Sequence, residues 1–201
     1  MVEIQTADFR LADGRELRLS HAEPDGVVRG GLVVLHEAAG ITEAVSEVVR
    51  GLAGEGWLVV VPHLPAELTE ASALAATDIG FAWLAARTVS VDRIGVVGVG
   101  LGGSVALVVG ARRDIGAAVT VAGVGILEPA VDGLPALVEI AAELRVPWLG
   151  LYRAENPTAE EVEKLRDAAG SAPVATDLVR YEAGTSEAWQ RALNWFDAHL
   201  R

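Results

Sequence analysis

The chain has no cysteine at any of its 201 positions. That excludes disulfides, thiol nucleophiles and cysteine-ligated metals. Basic residues are few as well, with 16 Lys plus Arg against 28 Asp plus Glu and a formal charge of −12. Such a surface repels phosphate backbones, and no basic patch offsets it, so nucleic acid and anionic membrane are not expected partners. Aromatic residues make up 5% of the chain, too few for stacking platforms. No apolar run is long enough to span a bilayer, and the start MVEIQTADFR is acidic where a signal peptide would be basic. A cytoplasmic location is the expectation. The four histidines are scattered and none stands with carboxylates at ligand spacing, so no metal site is expected.

What is present is apolar and small. Hydrophobic residues reach 51%, and the 22 glycines gather at a few places. The densest is Arg93–Gly110, RIGVVGVGLGGSVALVVG, which reads as a buried strand, a very tight turn and a helix leaving it. Two chemistries use such an element. In the nucleophile elbow G-x-S-x-G, a strained turn lifts a nucleophile above a sheet. In G-x-G-x-x-G, a turn admits a pyrophosphate. Gly98, Gly100 and Gly102 fit the first with glycine in the nucleophile position, while Gly98, Gly100 and Gly103 fit the second. A dinucleotide turn belongs after the first strand of its unit and needs an acidic residue at the end of the next strand. Here the turn comes later, and the following strand ends Val119-Thr120-Val121-Ala122-Gly123 without a carboxylate. The elbow fits better, and no cofactor is expected.

The remainder alternates strand and helix. Glu3–Leu11 and Arg15–His21 read as an antiparallel hairpin turning at Asp13-Gly14. Gly31–Leu35, Trp57–Val61, Arg93–Val99, Ala117–Val121, Pro147–Tyr152 and Thr176–Glu182 read as strands of a sheet covered on both faces. Helices are predicted over Glu43–Glu55 with Thr42 as cap, Glu70–Ala86, Leu101–Val109, part of Pro129–Leu144, Thr158–Ala169, and Ser186–Leu200 with Ser186 as cap. The fold class is therefore three-layer α/β with a mostly parallel sheet, as one domain over residues 1–201.

In such sheets function gathers beyond the carboxyl ends of the strands. Those ends carry Glu37, His63, Gly100, Gly123, Arg153 with Asn156, and Thr185. Glu37 is read either as a structural carboxylate or as an acid/base group. His63 is read as a surface residue or a pocket residue, and His36 as a packed strand histidine. Tyr152 and Arg153 are candidate ligand contacts, with a salt bridge the plainer role for Arg153. Ser104, one helical turn past the elbow, is read as packing.

Taken together, LVVLHEAAGITEAV, LAGEGWLVVVPHL, Asp78, RIGVVGVGLGGSVAL, PWLGLYRAENP and YEAG before AWQRALNWFDAHL resemble the dienelactone hydrolase family of α/β-hydrolases over essentially the whole chain. The resemblance implies the α/β-hydrolase fold and a Cys (or Ser), Asp and His triad. These fall on Gly100, Asn156 and Thr185, so all three catalytic side chains differ. It also implies an oxyanion hole from the backbone N–H groups of Ala38 and Leu101, which do not depend on side chains. Three function classes stand open. One is a relative that binds a small molecule without the family's hydrolysis. Another is an enzyme rewired around Glu37 and His63, or one using water as nucleophile. The third is a structural or regulatory protein. A monomer or weak homodimer is expected.

Overall fold

Strands with no polar alternation have to be covered on both sides, and the centre of this molecule is built from them. In the computed structural model, which describes residues 3–10, 16–36, 40–182 and 185–200, β3 (Gly30–Leu35) and β4 (Trp57–Pro62) are buried at every position. β5 (Ile94–Val99) is buried up to its last residue. With β1 (Gln5–Arg10), β2 (Glu16–Ala22), β6 (Ala117–Val121), β7 (Trp148–Arg153) and β8 (Thr176–Tyr181) they form one sheet in the order β1-β2-β4-β3-β5-β6-β7-β8. β1 and β2 pair antiparallel, and β2 joins β4 antiparallel. All later pairings are parallel. The hairpin therefore lies at one edge, as its alternating pattern predicts, and its turn lies outside the described residues.

Two helices cover one face, α1 (Glu43–Gly54) and α6 (Thr185–His199); Val49, Leu52, Ala192 and Phe196 pack there on Leu32, Val59 and Val119. The other face carries α2 (Glu70–Ala85), α3 (Leu101–Arg112), α4 (Leu137–Ile140) and α5 (Ala159–Ala169). Side-chain caps set three of the helix starts. Thr42 accepts the Val45 N–H, and Thr69 with Ser72 and Thr158 with Glu161 form reciprocal capping boxes.

Several boundaries differ from the sequence reading. The helical part of Pro129–Leu144 is the single turn of α4 followed by a 3-10 turn at Ala141–Glu143. β7 extends through Arg153, so Arg153 closes the strand instead of following it. α6 begins at Thr185, which places Ser186 inside the helix and not at its cap.

The decisive packing is the crossing of β5 and α3. A Cβ on Gly98 would sit 1.9 Å from the Gly102 carbonyl oxygen, and one on Gly102 would sit 2.3 Å from that of Leu35. Neither distance is possible for bonded-out carbon, so only glycine lets the helix lie this close to the sheet. A buried polar chain then fastens α3: the Trp148 indole N–H donates to Thr120 Oγ1 at 3.0 Å, which donates to the Gly103 carbonyl at 2.8 Å. At the other end of α3, Arg113 grips Asp78 of α2 with two hydrogen bonds of 2.7 and 2.8 Å. Arg112 joins Glu70 at 2.7 Å and also Glu143.

Two glycine substitutions separate crowding from helix propensity. Gly98→Ala is expected to cost about 3 kcal/mol or more, because backbone would have to move. A Cβ on Gly54 meets nothing, so Gly54→Ala is expected to be neutral or to stabilise by about 0.5–1 kcal/mol. Chemical denaturation of both variants checks the contrast.

Candidate functional site

The elbow turn places Gly100 at the N-cap of α3 with φ 56 and ψ −123. A residue with a Cβ holds such backbone angles only under strain, whereas glycine adopts them freely. The turn is pinned on both sides: the Gly100 N–H donates to the Val121 carbonyl at 2.9 Å, and its own carbonyl accepts from Ser104 N at 3.2 Å. Gly100 is where the nucleophile of an elbow would stand, and Leu101 opens the helix just after it. Ser104 is no substitute. Its Oγ donates to the Val124 carbonyl at 2.5 Å and accepts from the Val124 N–H at 2.9 Å, so the hydroxyl is spent on holding the loop after β6.

Beside this turn a groove of about 1100 Å³ runs between α1 and α6. Its floor is Val34, Leu35, Val99 and Val121, and α6 contributes Trp189 and Leu193. The α1 wall runs from Thr42 at the helix start to Glu55 just past its end. At the carboxyl end of the sheet the groove meets Arg153, Glu155, Asn156 and Glu182. Arg153 is exposed and has no ion-pair partner among the described residues. The salt bridge that sequence reasoning favours for it is therefore absent among them, and it faces the groove instead.

Other expectations fare differently. Glu37 and Ala38 lie outside the described residues, so the structure places neither. His36 is buried and its Nε2 accepts the Leu64 N–H at 3.3 Å, the packed role expected of it. His63 is exposed, its ring 6.3 Å from that of His36, and it does not line the groove that holds Arg153. Tyr152 is a correction. It is fully buried among Trp148, Leu137 and Val105 on the opposite face of the sheet, and so cannot share a ligand with Arg153. The cause is strand parity, since neighbouring side chains leave a strand on opposite sides. Burial also raises the proton affinity of its phenol above the ordinary range, and the hydroxyl has no hydrogen-bond partner among the described residues. Asn156 is exposed and lines the groove, while Thr185 begins α6. Among the described residues no cluster of His, Asp and Glu could hold a metal ion. Nor is any helix among them long and apolar enough to cross a membrane.

Sequence reasoning missed the groove itself. Its one local signal is Gly51, an isolated glycine inside a well-capped helix, at a place where an added Cβ would meet nothing.

No family model matches the chain. It is 25% identical over 204 residues to a protein of Salmonella typhimurium named "putative carboxymethylenebutenolidase", covering 82% of this chain and 76% of the relative. A protein of the same name in Escherichia coli K12 is 25% identical over 227 residues, covering 92% and 83%. Carboxymethylenebutenolidase is another name for dienelactone hydrolase. Among solved structures, a "putative dienelactone hydrolase" of Klebsiella pneumoniae superposes with a TM-score of 0.85 at 23% identity, over 98% of this chain and 100% of that one.

The chain is similar to the dienelactone hydrolases in sequence and in fold.

The wider fold is shared too. An esterase of Pyrococcus furiosus matches all of this chain and 92% of its own with a TM-score of 0.81 at 16% identity. A dienelactone hydrolase-like promiscuous phosphotriesterase from metagenomic libraries matches with a TM-score of 0.77 at 17% identity, over 100% and 99%. In this α/β-hydrolase frame Gly100, Asn156 and Thr185 follow β5, β7 and β8, all at the carboxyl edge of one sheet.

The two buried hydroxyls near this edge should behave oppositely. Ser104→Ala strands both polar groups of Val124 and is expected to cost about 1–3 kcal/mol. Tyr152→Phe removes a hydroxyl that has no hydrogen-bond partner among the described residues and is expected to leave the melting temperature unchanged or to raise it. Thermal unfolding of the two variants decides.

Proposed function

We propose that this chain keeps the dienelactone hydrolase scaffold as a small-molecule binding protein and has lost the family's covalent hydrolysis. The observation that carries this reading is the glycine at the elbow. An acyl-enzyme forms when a side-chain atom attacks the carbonyl, and Gly100 supplies none. The other two positions support the same reading. Asn156 carries no charge to orient or balance an imidazolium, and Thr185 is no base near neutrality. What remains is a turn held in shape by backbone hydrogen bonds, beside a groove lined by apolar side chains on three sides.

Backbone donors without a nucleophile still assist attack by water, and disabled triads of this general kind retain about 10³–10⁴-fold acceleration over water. A slow, steady background rate on activated esters is therefore compatible with the proposal. Mixing the protein with an activated ester or an enol lactone is expected to give no burst of product and no mass increase of the intact chain. A stoichiometric burst with an acylated protein would overturn it. Gly100→Cys alone is expected to restore little turnover, because the general base and its orienting carboxylate are still missing.

A further inference from the structure

The two faces of the sheet are closed differently. On one, α2 packs on α3, α3 on α4 and α4 on α5, whereas on the other α1 and α6 stand apart, and the gap between them is the groove. Four carboxylates line it, those of Glu47, Glu55, Glu155 and Glu182, against the single guanidinium of Arg153. None of the five side chains is ion-paired among the described residues. Arg29 stands beside Glu55 without answering its carboxylate: it donates to the Glu55 main-chain carbonyl at 3.2 Å and pairs with Asp197. Added to a formal charge of −12 for the chain, this field draws cations in and turns anions away.

The carboxylates are spread along the groove instead of gathered at one point. Because α1 connects the parallel strands β3 and β4, it starts at the carboxyl edge of the sheet and ends at the amino edge. Glu155 and Glu182 follow β7 and β8 at the carboxyl edge, where Arg153 also stands. Glu55 caps the far end of α1, and Glu47 lies on the helix between. The sequence separation of Glu47 and Glu55 puts them about 12 Å apart along the helix axis. Between them the wall is Val48 and Leu52, and the floor beneath is apolar. A ligand with one charged head meets one of these carboxylates and leaves the others unanswered. A chain carrying ammonium groups at intervals, with methylenes between, follows the alternation of charged and apolar surface. An extended eight-carbon chain between two amines spans about 11 Å, close to the axial separation of Glu47 and Glu55.

We propose that the groove between α1 and α6 binds a linear aliphatic polyamine, with one ammonium at Glu55, a second at Glu47 and the methylenes between them along Val48 and Leu52. A longer polyamine carries further charge toward Glu155 and Glu182, which outnumber Arg153 at the carboxyl edge. This rests on the reading that the scaffold binds small molecules, and it adds the chemical class of the ligand and where it lies. The methylenes supply affinity by leaving water, and the spacing of the carboxylates selects the length.

Calorimetric titration of the purified full chain with 1,8-diaminooctane, 1,4-diaminobutane, 1,8-octanediol and 8-aminooctanoate tests it. 1,8-Diaminooctane is expected to bind most tightly. The diol lacks both charges, the amino acid reverses one and the short diamine cannot span the two carboxylates, so each is expected about tenfold or more weaker. Glu47→Gln and Glu55→Gln are each expected to weaken 1,8-diaminooctane binding about threefold, and together about tenfold, with the melting temperature unchanged. The control is the double variant Glu67→Gln with Glu128→Gln, which removes the same charge at exposed positions outside the groove and is expected to bind like the parent. If the two double variants weaken binding equally, the diamine answers the net charge of the chain and the groove is not the site. If 8-aminooctanoate or the diol binds as tightly as 1,8-diaminooctane, the paired-cation assignment is wrong. If 1,4-diaminobutane does so, the length selection is wrong. No binding of 1,8-diaminooctane overturns the inference outright. The underlying reading fails on a separate result, an acylated protein in the intact-mass experiment, so the two failures cannot be confused.

Discussion

No Cβ fits where β5 meets α3. The 1.9 Å that would separate a Gly98 Cβ from the Gly102 carbonyl is less than any non-bonded contact allows, and a Gly102 Cβ would stand only 2.3 Å from the carbonyl at the end of β3. Much of the molecule is arranged by that approach. With α3 lying so near the sheet, Gly103 brings its carbonyl to Thr120, and Ser104 reaches the backbone of Val124. These bonds hold the loop after β6, and Val121 in turn holds the N–H of Gly100. The geometry of the elbow is thus a property of backbone and of glycine, and it needs nothing from a catalytic side chain.

The sheet divides the interior into two unlike halves. Beneath α2 to α5 the core is continuous from Leu19 to Leu178, and charged pairs lock α2 to α3 at its rim. Those pairs are half-exposed and each contributes modestly, though the two-toothed Arg113–Asp78 contact has the geometry that makes such pairs count. Above the sheet on the other side, α1 and α6 each pack well on strands and poorly on each other. Rigid elements around a gap are the usual makings of a pocket.

Most of the fold was legible because the strands are unbroken apolar runs and the helices have recognisable caps. Gly31–Leu35, Trp57–Val61 and Arg93–Val99 announce burial on both faces, and neighbouring places in one sheet follow from short right-handed crossovers. The carboxyl-end rule singled out Arg153 and Asn156, and both line the groove. Tyr152 was misread although the signal was available: Trp148, Gly150 and Tyr152 share one side of β7 by simple alternation, and Arg153 belongs to the other. The groove had no comparable signal beyond Gly51. It depends on the spacing between α1 and α6, which stand near opposite ends of the chain, and no local pattern encodes the distance between two such helices. The residues His63 and His36 were brought together as neighbours, but away from the wall that carries Arg153.

The backbone angles at Gly100 have a consequence for how such a chain changes over time. Wherever a residue with a side chain occupies this turn it carries a conformational penalty of about 1–3 kcal/mol, a sizeable fraction of the margin by which a domain stays folded. A nucleophile justifies that penalty only while it is being used. Once selection for the reaction lapses, glycine at this position is the more stable choice, and every later return to a side chain runs uphill. The turn therefore works as a ratchet: departure from nucleophilic chemistry is downhill in stability at the one position where that chemistry begins.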